Sequence, residues 1–441
     1  MKKKFKTLFA LSVAGLASIM ALTGCPGGGD GDTRVADIIK QAEKMDKDDL
    51  YKKAMEEIKG KSFTVVANSS RMKNAVPAWV EYCKTHYENP DFTVNYVGTQ
   101  PKNNQIFAQI KSDVTGANHT IDMTLIQDGS QIKSKMTKPG YLLNYIPKEW
   151  AGNKANDGEP LALQSLSKVF CWNTNGGNEN KYTNCWDFAL KKDTQFMTPK
   201  SEPVGQNFLY MLTRTDYAAV VKGAYDQLSA DDKATVNATI ANKDAGIESV
   251  YADLGVNDEN VKYSLAWIYT FLKNYRAVED DGPISQNLTV KTAEGAAGLL
   301  VYSKFRSIEE TENVSVKQIA VAAYQEGFKG FGGYMYKHYL QILKTSPHPW
   351  TSCALINFMV TEHDGFQPWG KDAGGYCSNP QVQATFDHSR DGYVDNVNVY
   401  PVKNDKGYDW WTSTTGGKLV IEDGEYASRV AVAMADWIAY L

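Results

Sequence analysis

Histidine is scarce in this 441-residue chain. Six are scattered (His86, His119, His338, His348, His363 and His388), and no neighbouring pair has metal-ligand spacing. H-E-x-x-H, G-x-S-x-G, a P-loop and a G-x-G-x-x-G between strand and helix are all missing, which removes the common local signatures of hydrolases and nucleotide binders. Six cysteines include no C-x-x-C pair, so neither a zinc ribbon nor thioredoxin-type redox chemistry is indicated. After the N-terminal region the longest uncharged apolar run is Ser264 to Leu272, about half of what a membrane span needs. Basic residues are not in excess either. Lys and Arg number 47 against 51 Asp and Glu, a formal charge of −4, and four of those lysines lie in the first six residues. The acidic body repels polyphosphate, so nucleic acid is excluded as a partner. What is present is 43% hydrophobic, 12% aromatic and 22% charged residues. That composition excludes disorder, collagen and small disulfide scaffolds. The length exceeds one ordinary hydrophobic core, so two lobes are expected.

The front of the chain carries an address. Lys2, Lys3, Lys4 and Lys6 form a basic region, and Phe9 to Leu22 is an uncharged apolar stretch suited to a secretory signal. It ends in Leu22-Thr23-Gly24-Cys25, which resembles the bacterial lipobox, in which the cysteine is acylated and becomes the new N-terminus. Residues 1–24 are therefore read as a lipoprotein signal peptide, and residues 25–35, opening on PGGGDGD after Cys25, as a flexible tether. Two acyl chains make a stable anchor. The expected location is the cell envelope, lipid-anchored and facing the periplasm or cell exterior. In that oxidising setting local disulfides Cys171–Cys185 and Cys353–Cys377 are expected, although spacing alone does not fix the pairing. Cys83 shares an apolar stripe with Val76, Trp79 and Val80 and reads as a buried free thiol.

Along the body, Phe63 to Ala67 reads as a buried strand and is followed by a helix from about Ala75, with Pro77 in its first turn. Phe92 to Val97 and Ile121 to Ile126 read as strands around a helix at Asn104 to Val114. Alternating strands and helices imply an α/β fold with parallel strands. Lys168 to Asn173, Gly298 to Tyr302 and Tyr334 to Ile342 are further strands. Tyr217 to Leu228, Ala230 to Ala241, Val261 to Asn274 and Trp350 to Thr361 are helices. Ligands of open α/β sheets sit beyond the carboxyl ends of strands. Two such ends are polar: Asn68, Ser69, Ser70 and Arg71 after the first strand, and Gln127 with Asp128 after the third. Helix capping and an Asp-Gly turn are the alternative roles for these residues.

Asp49-Leu50-Tyr51-Lys52-Lys53-Ala54 to Gly60, then Phe63 to Arg71, resembles the opening of bacterial extracellular solute-binding proteins. The nearest branch is the one with iron(III)-, thiamine- and aminoethylphosphonate-type receptors. Ile121 to Gly129 is similar to that family's strand entering the cleft, and Ser346-Pro347-His348-Pro349 with Ala354 to Phe358 is similar to a segment near its second lobe crossing. The resemblance implies a two-lobed, type II periplasmic-binding-protein-like α/β fold with a hinge and an interlobe cleft. Lobe 1 is expected over 36–165 plus 315–361 and lobe 2 over 166–314 plus 362–441, with crossings near Ala162 to Asn173 and Val314 and a return after Thr361. It further implies a substrate-binding lipoprotein of an ABC importer, a monomer without catalysis or required cofactor. Its partners would be a small-molecule or ion ligand, the ABC permease, and the lipid bilayer through Cys25. Candidate ligand contacts in the second lobe are Thr174, Asn175, Trp186, Tyr302, Ser303 and Arg306, with Lys304 and Asp187 near them. Iron-binding members use a Tyr-Tyr pair, and this chain has no Tyr-Tyr dipeptide. Thiamine, a phosphonate, a polyamine and a sugar stand beside iron(III) as possible cargo. A glycosidase-like surface hydrolase, whose two carboxylates can lie far apart in sequence, and a sensory or adhesive lipoprotein are the alternatives.

One constellation lies outside that family pattern. Asp387, Ser389, Asp391, Tyr393 and Asp395, with Gly392 at the sharp turn, match the spacing of an EF-hand-like calcium loop, with Asn398 in place of the final glutamate. A structural Ca2+ is thus a candidate cofactor.

The acylation expectation is directly checkable. Expressed in a bacterium with lipoprotein processing, the chain should incorporate an alkynyl fatty acid, and Cys25→Ser should abolish the label. Label retained in the Ser variant would overturn the lipobox reading.

Overall fold

The computed structural model describes residues 33–101, 104–199, 202–290, 294–305, 319–370, 374–386 and 406–441. Cys25, Arg306, Val314 and the calcium-like loop Asp387 to Asp395 lie outside the described residues. Residues 34–441 form one compact unit. No described helix is long and apolar enough to cross a membrane.

Among the described residues twelve strands make one curled sheet: β1 (Ser62–Ala67), β2 (Asn95–Thr99), β3 (Met123–Ile126), β4 (Leu142–Leu143), β5 (Ala162–Asn173), β6 (Gln195–Met197), β7 (Arg276–Val278), β8 (Ala297–Val301), β9 (Ile319–Val321), β10 (Gly333–Leu343), β11 (Gly375–Cys377) and β12 (Leu419–Ile421). The main order is β2-β1-β3-β10-β5-β8-β6-β7. β5 and β10 are the long members, with 12 and 11 residues, and every residue of both is buried. They pair antiparallel from Ala162 with Tyr339 to Val169 with Gly333. Each end of this pair belongs to a different lobe. At one end β10 pairs with β3 over Tyr339–Ile342 and β5 with β11 over Gln164–Leu166. At the other, β10 pairs with β12 over Gly333–Met335, and β5 with β8 and β9.

The two lobes have separate cores on the same face of the sheet. In lobe 1, Trp79, Phe63, Leu340, Ile356 and Phe358 pack together. In lobe 2, Phe170, Phe208, Trp267, Phe271 and Phe331 do so. The second is an aromatic cluster with Trp267 stacked on Phe271 at 4.7 Å and edge-on to Phe208. Such pairs add to area burial, by about 0.5–1.5 kcal/mol each. The segment His363–Phe386, assigned by sequence to the second lobe, places Phe366, Trp369, Val382 and Phe386 in the first lobe's core.

Several local expectations need correction. The helix after β1 begins at Met72, so Pro77 lies inside it rather than in its first turn. The edge strand β2 starts at Asn95, three residues later than its alternation suggests, because its partner β1 begins at Ser62, directly opposite Asn95. The expected disulfides are absent: Cys171, Cys185, Cys353 and Cys377 are all free and buried, as is Cys83. Cys171 packs with Val169 and Leu300 on one face of the sheet, whereas Cys185 sits among Phe170 and Trp186 on the other. Cys353 lies in the helix Pro349–Thr361 and Cys377 in β11. Burial pushes the Cys185 and Cys377 thiols up to about 12, so they stay protonated and packed as small apolar groups.

β10 enters the crossing through Gly333, where a Cβ would lie 2.1 Å from the Lys168 carbonyl oxygen of β5. No flexible side chain can yield there. Gly333→Ala should therefore lower unfolding free energy by about 1–3 kcal/mol in urea titrations. An unchanged midpoint would show that the strand crossing tolerates separation.

Candidate functional site

A cavity of 690 Å3 opens between the lobes. Its first wall is built from strand ends: Asn68 follows β1, Gln100 and Pro101 follow β2, and Gln127 and Asp128 follow β3. Its second wall repeats the arrangement. Met197 ends β6 and leads through Thr198 to Glu202 at the cap of the helix Pro203–Met211. Val278 ends β7 and leads through Glu279 and Asp280 to Asp281, the first residue of the helix Asp281–Leu288. Tyr336, in the middle of β10, joins the walls. Parallel strands feeding helix N-termini place polar side chains at one rim, and here two such rims face each other.

Behind Asp128 a buried polar knot ties the lobes together. Asp128 Oδ1 accepts from Ser130 Oγ at 2.9 Å and from the Gln131 amide at 3.1 Å. From the second lobe, Asn207 Nδ2 donates to Asp128 Oδ1 and to Glu422 Oε1, each at 3.0 Å. Glu422 Oε2 accepts from the Lys337 amide at 3.0 Å and from the Tyr339 hydroxyl at 2.9 Å. Asp128, Asn207 and Glu422 are all at most 3% exposed. Burial, with the charge of Asp128 added, pushes Glu422 up to about 7 against the opposing hydrogen bonds from Tyr339 and Lys337. On the second wall, Lys168 is buried in an ion pair with Asp281 at 3.2 Å. Burial raises Glu202, with Lys168 and the Gly205 and Val204 amides pulling the other way.

Of the residues singled out by sequence, Asn68, Gln127 and Asp128 line the cavity. The other described ones lie elsewhere. Ser69 Oγ accepts from Trp369 Nε1 at 3.3 Å, and Arg71 Nη1 donates to the Pro368 carbonyl at 2.8 Å, so both brace the helix His363–Gly370. Ser70 is solvent-exposed. Thr174 and Asn175 form the turn beyond β5, where the Asn175 amide donates to Asn173 Oδ1 at 2.8 Å. Trp186 is a core residue, fully buried, with Nε1 donating to the Val221 carbonyl at 3.1 Å. Asp187 caps its own helix through the Thr183 and Asn184 amides. Tyr302 is buried against Trp411, with ring centroids 5.1 Å apart, and Ser303 follows it in a single 3-10 turn with Lys304. Glu202, Asp281 and Tyr336 were missed. The Glu279-Asp280-Asp281 run was the available signal, and it reads as solvated surface until β7 brings it to the cleft.

The proton on Glu422 has a measurable consequence. Its folded-state affinity for protons exceeds that of an unfolded glutamate, so its stabilising contribution is complete below pH 4.5 and is lost as pH rises through 7. The loss is roughly 3 kcal/mol. Urea unfolding between pH 5 and 8 should therefore show a fall that Glu422→Gln flattens. Equal slopes in both proteins would contradict a protonated Glu422.

No family model and no curated protein matches the chain. Solved structures do. An ABC transporter substrate-binding protein from Bradyrhizobium japonicum superposes with a TM-score of 0.54 at 11% identity, over 86% of this chain and 99% of that one. The ferric binding protein from Campylobacter jejuni gives 0.54 at 12% identity, covering 86% and 99%. MotA from Agrobacterium tumefaciens, solved in complex with glucopine, gives 0.51 at 12%, covering 86% and 98%. Nearly the whole of each protein is matched, so the likeness reaches both lobes and the crossing. The chain has the two-lobed fold of periplasmic substrate-binding proteins.

Proposed function

We propose that this protein is the substrate-binding component of an ABC importer, a monomer that traps a small solute between its lobes and presents the closed form to a permease. The observation that carries this reading is the 690 Å3 cavity whose opposite walls are strand ends of two lobes joined through β5 and β10. A solute touching both walls binds the closed state better than the open one, and that difference in affinity is what shifts the hinge. Solved structures of the same fold support the reading, being substrate-binding proteins with ligands as different as iron and glucopine. The lipobox-like Leu22 to Cys25 supports anchoring at the envelope membrane, where a permease would sit. The protein performs no chemistry in this scheme. Asn68, Gln127 and Asp128 hold the ligand from lobe 1; Thr198, Glu202 and Tyr336 face them.

Differential scanning fluorimetry with iron(III), thiamine, phosphonates, polyamines and sugars tests the proposal. A ligand at 100 times its dissociation constant adds about 2.7 kcal/mol to the native state and raises the melting temperature accordingly. Small-angle scattering should show the radius of gyration shrink with the same ligand, and Tyr336→Ala should reduce both effects. Turnover of a glycoside or phosphoester, without saturable closure, would replace the receptor reading with an enzyme.

A further inference from the structure

Beside the strand crossing the lobes meet backbone to backbone. Gly129 belongs to lobe 1, where Ile132 and Met136 of the same segment pack with Ile126 and Leu142. Gly424 opens the helix Gly424–Tyr440, whose Val430, Met434 and Ile438 lie in the lobe 2 core. A Cβ on Gly424 would lie 3.0 Å from the carbonyl carbon and oxygen of Gly129 and 3.2 Å from its Cα. A Cβ on Gly129 would lie 2.9 Å from the Tyr339 hydroxyl. A side chain at either position would have to push the other lobe or Tyr339 aside. Two bare backbones in contact carry no side chains to interlock, so they can change angle while staying together.

A second feature falls at the same spot. The pairing of β5 with β10 slips between His338 and Tyr339, and a paired ribbon bends at such a bulge. Tyr339, the first residue after the slip, donates its hydroxyl to Glu422 Oε2 at 2.9 Å, and the Gly129 amide donates to Glu422 Oε1 at 3.4 Å. One tyrosine and one glutamate thus join the bending point of the strands to the glycine contact. The contact also adjoins the cavity, because Asp128, which lines it, directly precedes Gly129.

Resting on the receptor reading above, we propose that the Gly129–Gly424 contact is the pivot on which the lobes turn, held at the strand crossing by Tyr339 and Glu422.

The outermost strands, β2 and β7, report the motion best. Adjacent strands lie about 4.8 Å apart, so three steps put each roughly 14 Å from the crossing. Val97 and Ala277 are exposed positions on these strands, outside the cavity lining. Nitroxide labels on Val97→Cys and Ala277→Cys, read by double electron–electron resonance on the ligand-free full-length chain, test the proposal. Cys25→Ser in that chain leaves only the five buried cysteines unlabelled. Gly424→Val should wedge the lobes apart and lengthen the mean separation by about 2 Å or more. Gly223→Val, where a Cβ meets nothing within 4 Å, should leave it as it is. Tyr339→Phe keeps the ring, loses the bond to Glu422 and should broaden the distance distribution. A separation unchanged or shortened in Gly424→Val, or moved as far by Gly223→Val, would overturn the pivot. If Gly424→Val does not fold, Tyr339→Phe decides, and a distribution as narrow as that of the unsubstituted protein overturns it. None of these measurements needs a cargo. Failure here therefore leaves the receptor reading to the ligand panel, whose silence would overturn that reading while a shifted separation upholds the pivot.

Discussion

β5 and β10 are paired to each other over their central residues and to different neighbours at their two ends, so neither lobe's sheet exists without them. All 23 of their residues are buried. Buried backbone must find partners, which forces the flanking strands to complete the ladder on both sides of the crossing. Once the crossing is fixed, β1 and β3 must end on one side of the cavity and β6 and β7 on the other. The cavity is thus a by-product of strand direction, and its polar lining follows from which residues terminate the strands.

Much of lobe 1 could be read from sequence because its strands are long enough to reveal themselves. Phe63 to Ala67 and Ile121 to Ile126 are compact apolar runs with polar ends, and Asn68, Gln127 and Asp128 come to the cavity because they follow those runs directly. The second wall was opaque for the same physical reason reversed. β6 and β7 are three residues each, Gln195–Met197 and Arg276–Val278, too short for any periodicity to register. Trp186 misled because a tryptophan after a crossing strand suits stacking on a ligand as well as packing in a core, and only tertiary context separates the two. The cysteines misled through compartment logic: an oxidising space permits disulfides, but β5 places Cys171 on the opposite face of the sheet from Cys185.

The polar knot behind Asp128 combines two demands that pull against each other. Asp128, Asn207 and Glu422 come from three separate stretches of chain and are almost wholly removed from water. Charged groups in such a place are costly unless fully bonded, and burial raises the proton affinity of Glu422 while Asn207 bridges it to Asp128. The bridge also restrains the approach of the lobes, since Asp128 belongs to the first and Asn207 to the second. At the rim of the second wall, by contrast, Glu279 and Asp280 are exposed to water.

The pairing of β5 with β10 slips by one residue between Gln164 opposite His338 and Ala162 opposite Tyr339, leaving Leu163 unmatched. Such a bulge coils a ribbon more tightly and bends its course. It also keeps Leu161 and Leu163 on the same side of the ribbon as Leu166, Phe170 and Trp172, although their sequence parity differs. The molecule can therefore turn a corner at its waist while both cores stay under one continuous surface. Were the ladder in perfect step, the greasy flank would swap sides midway, and one lobe would have to hang upside down relative to the other.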